Sequence, residues 1–256
     1  MKIAFAGKGG VGKTTLTAWT ADYLARQGHN VWMVDADTAL SLGMACGIER
    51  DSCPTPLIER EDLIRTHIGE GMMHLNPDVD HLPRTLALDV PICGSDPDGC
   101  SFGEKKLLVM GATTSAGGGC ACKANALLKA VLSKMMMDDE DWVLIDLEAG
   151  VEHLGRGTVS AVDGLVVVSE PSYRGMDVAA QVGQMADDLG LTNQLLAING
   201  CNGVPEIPNM SGLPEKRFSM PFVPELIQRQ LASPSVLGLS SQAEIDTAVA
   251  SMISSL

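Results

Sequence analysis

The chain has 256 residues, 45% of them hydrophobic and only 4% aromatic, and a formal net charge of −14. That apolar share supports an ordinary globular core, here built on Leu, Val, Ile, Met and Ala. The acidic balance excludes the basic footprint that non-specific nucleic-acid binding requires, so no nucleic-acid partner is expected.

The first apolar run, Lys2 to Ala6, predicts a strand. It is followed by Gly7-Lys8-Gly9-Gly10-Val11-Gly12-Lys13-Thr14-Thr15, in which Gly7 to Thr14 fits the phosphate-binding pattern G-x-x-x-x-G-K-[ST]. A helix over Leu16 to Gln27, closed by Gly28, completes the strand, loop and helix context that the pattern needs. Gly9, Gly10 and Gly12 let backbone N–H groups crowd around phosphate oxygens, and the helix N-terminus adds positive potential. In that setting Lys13 neutralises the β- and γ-phosphates of ATP, or the β-phosphate of ADP, and the Thr14 hydroxyl holds Mg²⁺.

Further along, Val31 to Asp35 predicts a second strand that runs into Asp35-Ala36-Asp37-Thr38. Pro56 to His67 is helix-like. Residues 68–105 read as a variable, irregular insertion with short strands near Met72–Leu75, and Lys106 to Met110 as a strand. Gly117 to Gly119 lead into Cys120-Ala121-Cys122 and a helix to about Met137. Strands follow at Trp142 to Asp146, Gly164 to Val168, Gln194 to Asn199 and Lys216 to Met220, with helices at Ser172 to Leu189, Pro224 to Leu231 and Ser241 to Ser254.

The strands are continuously apolar and alternate with helices. This is the pattern of an α/β, doubly wound, mostly parallel sheet covered by helices on both faces, the P-loop NTPase fold. With no repeat and no clean linker, residues 1–256 are expected to form a single ATPase domain. Ligands of such sheets sit at the C-terminal strand ends, where the phosphate loop, the Asp35–Asp37 turn and the turn after Asp146 all fall.

Asp146 ends a buried strand opposite the phosphate loop, the usual place for a Mg²⁺ anchor. The run Asp146-Leu147-Glu148-Ala149-Gly150 has the D-x-x-x-G spacing of a switch, with Gly150 offering an N–H to the γ-phosphate. Cys120 and Cys122 lie at a helix start, where positive potential favours the thiolate. Two thiolates are half of a four-ligand site, so two such pairs meeting on a two-fold axis could hold Zn²⁺ or Ni²⁺. Cys93 and Cys100 read equally as an auxiliary metal or redox pair and as loop thiols. Cys46, Cys53 and Cys201 read as packing residues, and His153 as a hydrogen-bonding loop residue. Residues 3 to 6 are too few for a signal-peptide core, no apolar run approaches the ~18 residues of a membrane span, and Gln242 to Leu256 holds no Lys or Arg to bind anionic lipid. With seven cysteines and no export signal, a cytoplasmic chain without a membrane partner is expected.

The spelling K-G-G-V-G-K-T, with its early Lys8, resembles the deviant phosphate-loop ATPases, the group holding MinD/ParA-type ATPases and nitrogenase iron protein. The resemblance implies a homodimer in which Lys8 reaches the partner chain's nucleotide. It also implies Asp37 as the water-orienting residue, Asp35 as Mg²⁺-associated, and an adenine pocket built by Asn199 with Pro221, Val223 and Pro224. Val11 and Thr15 complete the nucleotide-binding stretch. The family usually has Asp-Pro where this chain has Asp37-Thr38. Within the group, the segments Gly7–Thr15, Leu107 to Cys122 and Asp146–Thr158, the last containing Glu-His-Leu-Gly-Arg-Gly-Thr, resemble carbon monoxide dehydrogenase accessory ATPases of the CooC type. Glu170-Pro171 extends the match. The implied function is an ATPase that supports nickel insertion into carbon monoxide dehydrogenase. An iron–sulfur cluster scaffold or carrier and a MinD/ParA-type spatial regulator are the alternatives, disfavoured by C-x-C in place of C-x-x-C and by the acidic charge.

Overall fold

The computed structural model describes residues 1–69, 77–94, 102–111, 120–135, 142–148 and 162–256, with only the backbone of residues 120–122 and 125. The expected strand near residues 72–75, the switch glycine Gly150, His153 and Cys100 lie outside these residues.

In chain order the elements are β1 (Lys2–Ala6), α1 (Lys13–Arg26), β2 (Val31–Ala36), α2 (Leu42–Ala45), α3 (Glu61–Ile68), α4 (Leu82–Leu86) and β3 (Leu88–Asp89). Then come β4 (Lys105–Val109), α5 (Cys120–Met135), β5 (Trp142–Leu147), β6 (Gly164–Ser169) and α6 (Tyr173–Asp188). The chain ends with β7 (Gln194–Asn199), β8 (Lys216–Met220), α7 (Pro224–Ala232) and α8 (Gln242–Ser254). The described strands form one eight-stranded sheet, ordered β3-β4-β2-β5-β1-β6-β7-β8. Every pairing is parallel except β3 with β4.

The continuous apolarity of the strands has a direct cause. Ile3 and Phe5 of β1 pack with Leu16, Trp19, Ile245 and Val249 on the α1 and α8 side. Ala4 and Ala6 pack with Leu127 and Val131 of α5 and Met176 and Val182 of α6 on the other side. Both faces of the sheet are therefore core, and no strand position can be polar without a partner. The edges differ: β8 opens with exposed Lys216 and Arg217, and β3 is two residues long, both devices that discourage further strand pairing.

Among the described residues, the predicted strands and most of the predicted helices are present with small shifts at their ends. Helix α1 begins at Lys13 rather than Leu16 because Gly12 caps it in the left-handed region and Thr14 and Thr15 already follow helical geometry. The Pro56–His67 stretch is a short 3₁₀ turn, Leu57–Glu59, followed by α3. The insertion is more ordered than expected where it is described. Pro83 opens α4, whose buried Leu82 seats beside Val79 in the core, and Leu88 pairs with Leu107 across β3 and β4.

One charged cluster is enclosed. Asp22 of α1 and Lys105 of β4 are both fully buried and meet at 2.6 Å. Asp22 also accepts from Arg26 Nε at 3.1 Å and from the Cys93 N–H at 3.0 Å. Arg26 in turn grips Asp246 of α8 with two bonds of 2.7 and 2.6 Å. Removing one member of a buried pair strands the other without water. Asp22→Ala is therefore expected to lower stability by roughly 3–5 kcal/mol, read as a shift of the denaturant midpoint at unchanged slope.

Candidate functional site

Strand β1 is buried throughout and delivers the chain to Gly7, whose φ of 144° and closeness to the Val168 carbonyl of β6 leave no room for a Cβ. Gly12, at φ 101°, caps α1, and a Cβ there would strike Asn199 Nδ2. Asn199, the last residue of β7, donates from that amide to the Val11 carbonyl at 2.8 Å. The residue expected beside the base is thus also a prop of the phosphate loop. Gly9 and Gly10 are exposed, while Val11 and Thr15 are buried. The loop presents its tip to solvent and roots its ends in the core.

Lys13 is 5% exposed. Its ammonium lies 3.7 Å from Asp37 Oδ2 and donates to the Lys8 carbonyl at 3.4 Å. Thr14 Oγ1 donates to Asp146 Oδ2 at 2.6 Å and lies 3.4 Å from the Ser41 hydroxyl. Asp35 and Asp146 are register partners on the neighbouring strands β2 and β5, so sheet pairing alone sets their carboxylates side by side. Their fates differ. Asp35 Oδ1 accepts from the Asp37 N–H at 3.3 Å and Oδ2 from the Leu42 N–H at 2.9 Å, so this side chain holds the turn and the start of α2. Asp146 is fully buried, and among the described residues its Oδ1 has no partner.

Burial is the main cause that lifts Asp35 to about 6, opposed by the Leu42 and Asp37 N–H groups. Burial likewise lifts Asp146 to about 7, opposed by the Thr14 hydrogen bond and Lys13 and reinforced by the charges of Asp35 and Asp37. A buried carboxylate with a free oxygen, a hydroxyl at 2.6 Å and an adjacent phosphate loop is the donor set a hard divalent cation takes, and such a cation would draw the acid back to its charged form.

Lys8 is exposed by comparison, and its Nζ reaches Glu170 Oε1 of its own chain at 3.3 Å, with the two side chains 45% and 46% exposed. Glu170 also accepts from the Ser172 hydroxyl at 2.9 Å, and both contacts lower its pKa. Ser172 caps α6 through the Gly175 N–H at 3.0 Å. Sequence reasoning gave Glu170 no role. Its position directly after the fully buried strand β6, at the same sheet edge as the loop, was the signal available.

On the expected base side, Val223 is buried and Phe222 is 51% exposed, so the wall turns its aromatic residue outward between Pro221 and Pro224. In the switch stretch, Glu148 accepts from the Thr38 hydroxyl at 3.1 Å. The predicted thiol pair lies at the head of a helix, since α5 begins at Cys120 and runs through Cys122. Among the described residues, no group of three or more His, Cys, Asp and Glu side chains could hold a metal. Cys46 is buried and pushed up to about 12 by desolvation. Cys93 lines a cavity of about 520 Å³ with Arg26, Gln27, Phe102 and Gln242 at the far end of α1 from the loop, and burial raises its pKa too. Neither thiol has the depressed pKa of a reactive cysteine. Among the described residues, no helix is long and apolar enough to cross a membrane.

Comparison with known proteins agrees with this geometry. Residues 2–235 match the CobQ/CobB/MinD/ParA nucleotide binding domain. The chain is 39% identical over 198 residues to the carbon monoxide dehydrogenase accessory protein CooC of Rhodospirillum rubrum, an alignment covering 75% of this chain and 71% of that protein. It is 34% identical to an uncharacterised ATP-binding protein of Methanocaldococcus jannaschii, over 78% of this chain and 74% of the other. Among solved structures, the Pyrococcus furiosus cell division ATPase MinD superposes with a TM-score of 0.65 at 21% identity, covering 99% of this chain and 98% of that one. The Pyrococcus horikoshii septum site-determining protein MinD, complexed with Mg-ADP, gives 0.64 at 19% identity, covering 98% and 95%. A phosphate loop on a parallel sheet, carboxylates at the ends of β2 and β5, and these likenesses together place the chain in the CobQ/CobB/MinD/ParA nucleotide-binding family, as one of its P-loop ATPases.

Proposed function

We propose that this chain is a single-domain, Mg²⁺-dependent ATPase that works as a homodimer and supports nickel insertion into carbon monoxide dehydrogenase. The observation that carries the reading is the presence, in one chain, of the phosphate-loop site and of a C-x-C pair opening α5. The 39% identity to the Rhodospirillum accessory protein supports the choice of client enzyme.

In this reading the loop N–H groups and Lys13 hold the β- and γ-phosphates, and Thr14 and Asp146 hold Mg²⁺, with Asp35 securing the turn beside them. The cation supplies charge neutralisation on the phosphate oxygens. Asp37, already aimed at Lys13, orients the attacking water at the γ-phosphate side. Asn199 and the Pro221, Val223 and Pro224 wall receive adenine. Lys8 leaves Glu170 to reach the nucleotide of the second chain, and Glu148 and Gly150 follow the state of the γ-phosphate. The dimer so formed brings together the Cys120 and Cys122 pairs of both chains, four thiolates suited to Ni²⁺ or Zn²⁺ as cargo. The acidic chain acts without nucleic acid or membrane, in the cytoplasm.

Replacing both Cys120 and Cys122 with Ala is expected to abolish stoichiometric Ni²⁺ or Zn²⁺ uptake in equilibrium dialysis. The same variant should lose the stimulation of dehydrogenase activity expected at limiting nickel, with ATP turnover retained. Full uptake by the double variant would remove the thiolate site from the proposal.

Lys8→Ala should leave nucleotide affinity near wild type while hydrolysis falls by roughly 10³-fold, the scale of a cation acting from a second chain. A monomeric Lys8→Ala protein with normal turnover contradicts the dimer mechanism.

The Mg²⁺ assignment makes a prediction about pH. Asp146 has its folded pKa raised to about 7 from 3.8, so its contribution to stability is complete below the unfolded value and is lost as pH rises through the folded one. Without nucleotide, the protein should lose up to roughly 4 kcal/mol of stability between about pH 4 and pH 7 from this group. Asp146→Asn should flatten that profile, and Mg²⁺ with ATP should flatten it for the natural chain. Thermal midpoints from pH 4.5 to 8 measure both effects.

A further inference from the structure

Two strand ends frame the phosphate site: β2, whose chain leaves through Asp37, and β5, whose last described neighbour is Glu148. Strand register brings them out side by side, because Asp35 faces Asp146 and Ala36 faces Leu147 at the last paired positions. Beyond those positions the two strands have ended, and a side chain spans the gap. Thr38 Oγ1 donates to Glu148 Oε1 at 3.1 Å and also approaches Asp37 Oδ1 at 3.4 Å. Asp37 Oδ1 accepts the Ala39 N–H at 2.9 Å as well, while Oδ2 points to Lys13 at 3.7 Å. One oxygen of Asp37 is thus held by its own turn, and the other is directed at the phosphate-binding ammonium.

We propose that the Thr38 hydroxyl is a positioning group for ATP hydrolysis, clasping the Asp37 turn to Glu148 so that the Asp37 carboxylate is set only when Glu148 is in place. The proposal rests on the reading of Asp37 as the water-orienting residue. Thr38 is exposed and packs into neither core cluster, so its side chain is not needed to build the fold. What it contributes is a hydroxyl proton shared between two carboxylates on two different loops. A hydrogen bond between a neutral donor and a charged acceptor is directional, so movement of the Glu148 segment is passed to Asp37 rather than absorbed. Thr38 touches no reacting atom. Its effect must therefore appear in turnover and not in nucleotide binding.

The test is steady-state ATP hydrolysis with nucleotide affinity measured in parallel, on Thr38→Val, Thr38→Ser, Glu148→Ala, the Thr38→Val/Glu148→Ala double variant and Asp37→Asn. Thr38→Val should lower kcat by roughly three- to tenfold, the worth of one partly exposed hydrogen bond, with KM and affinity unchanged. Thr38→Ser should restore most of that loss. The double variant should be no slower than the slower single one, since both cut the same contact. Wild-type kcat in Thr38→Val, no rescue by serine, or multiplying effects in the double variant overturns the clasp. Asp37→Asn separates the two ideas. If it abolishes turnover while Thr38→Val is normal, the clasp alone is wrong. If Asp37→Asn turns over normally, the reading on which the clasp rests is wrong.

Discussion

A lysine that keeps only 5% of its surface in water governs the architecture of this site. Lys13 stands at the start of a helix, where backbone N–H groups already create positive potential. An ammonium there needs anionic neighbours held at fixed range to offset the water it has lost. The parallel sheet provides them. It brings the ends of β1, β2 and β5 to one edge, and with them Asp37 at 3.7 Å and Asp146 on the adjacent strand end. The same burial that protects the lysine raises the pKa of Asp146 to about 7 and leaves one of its oxygens unpartnered. The site is thus tense in a defined way: a cation with its counter-ion slightly too far for a hydrogen bond, and an acid short of one ligand. Under the proposed function a magnesium nucleotide would satisfy both at once, with phosphate charge by Lys13 and a metal by Asp146.

Much of this was legible in the chain, because the strongest signals were local. Gly7, Gly12 and Lys13 spell the loop, and the buried runs at Val143–Ile145 and Leu195–Ile198 can only be strands enclosed on both faces. What escaped was set by partners distant in sequence. Leu82–Leu86 forms a helix because Leu82 finds a place in the core, not because five residues around Pro83 favour one. Lys8 and Glu170 are separated by 162 positions, and no spacing rule connects them. Asp35 was expected beside Mg²⁺, and that its carboxylate also bonds two backbone N–H groups, of Asp37 and Leu42, is set by the fold rather than by the motif. Asp35 lies within β2 and Asp37 just beyond its end, so strand and turn give two like residues different work.

Charge is also divided along α1. At its C-terminal end, Asp22, Lys105, Arg26 and Asp246 form a closed set in which every charge has a close partner, at 2.6 to 3.1 Å. At its N-terminal end, the partners of Lys13 are at 3.4 and 3.7 Å. The first cluster is satisfied and locks α1 to β4 and α8. The second keeps unsatisfied capacity where a ligand is to come. One helix therefore serves as both anchor and receptor.

The two loop lysines complete the contrast. Lys13 is enclosed, so moving it would expose a carboxylate pair to an uncompensated interior, at a cost of several kcal/mol. Lys8 is 45% exposed and bonded at 3.3 Å to a Glu170 that is 46% exposed. An exposed pair of this kind contributes little and is weakened by salt. Glu170 keeps the Ser172 hydroxyl when Lys8 departs, so neither partner is stranded. The loop thus carries one lysine that is costly to move and, five residues earlier, one that is cheap to move. Those are the properties required if the first is to grip a phosphate within its own chain and the second is to be lent to another.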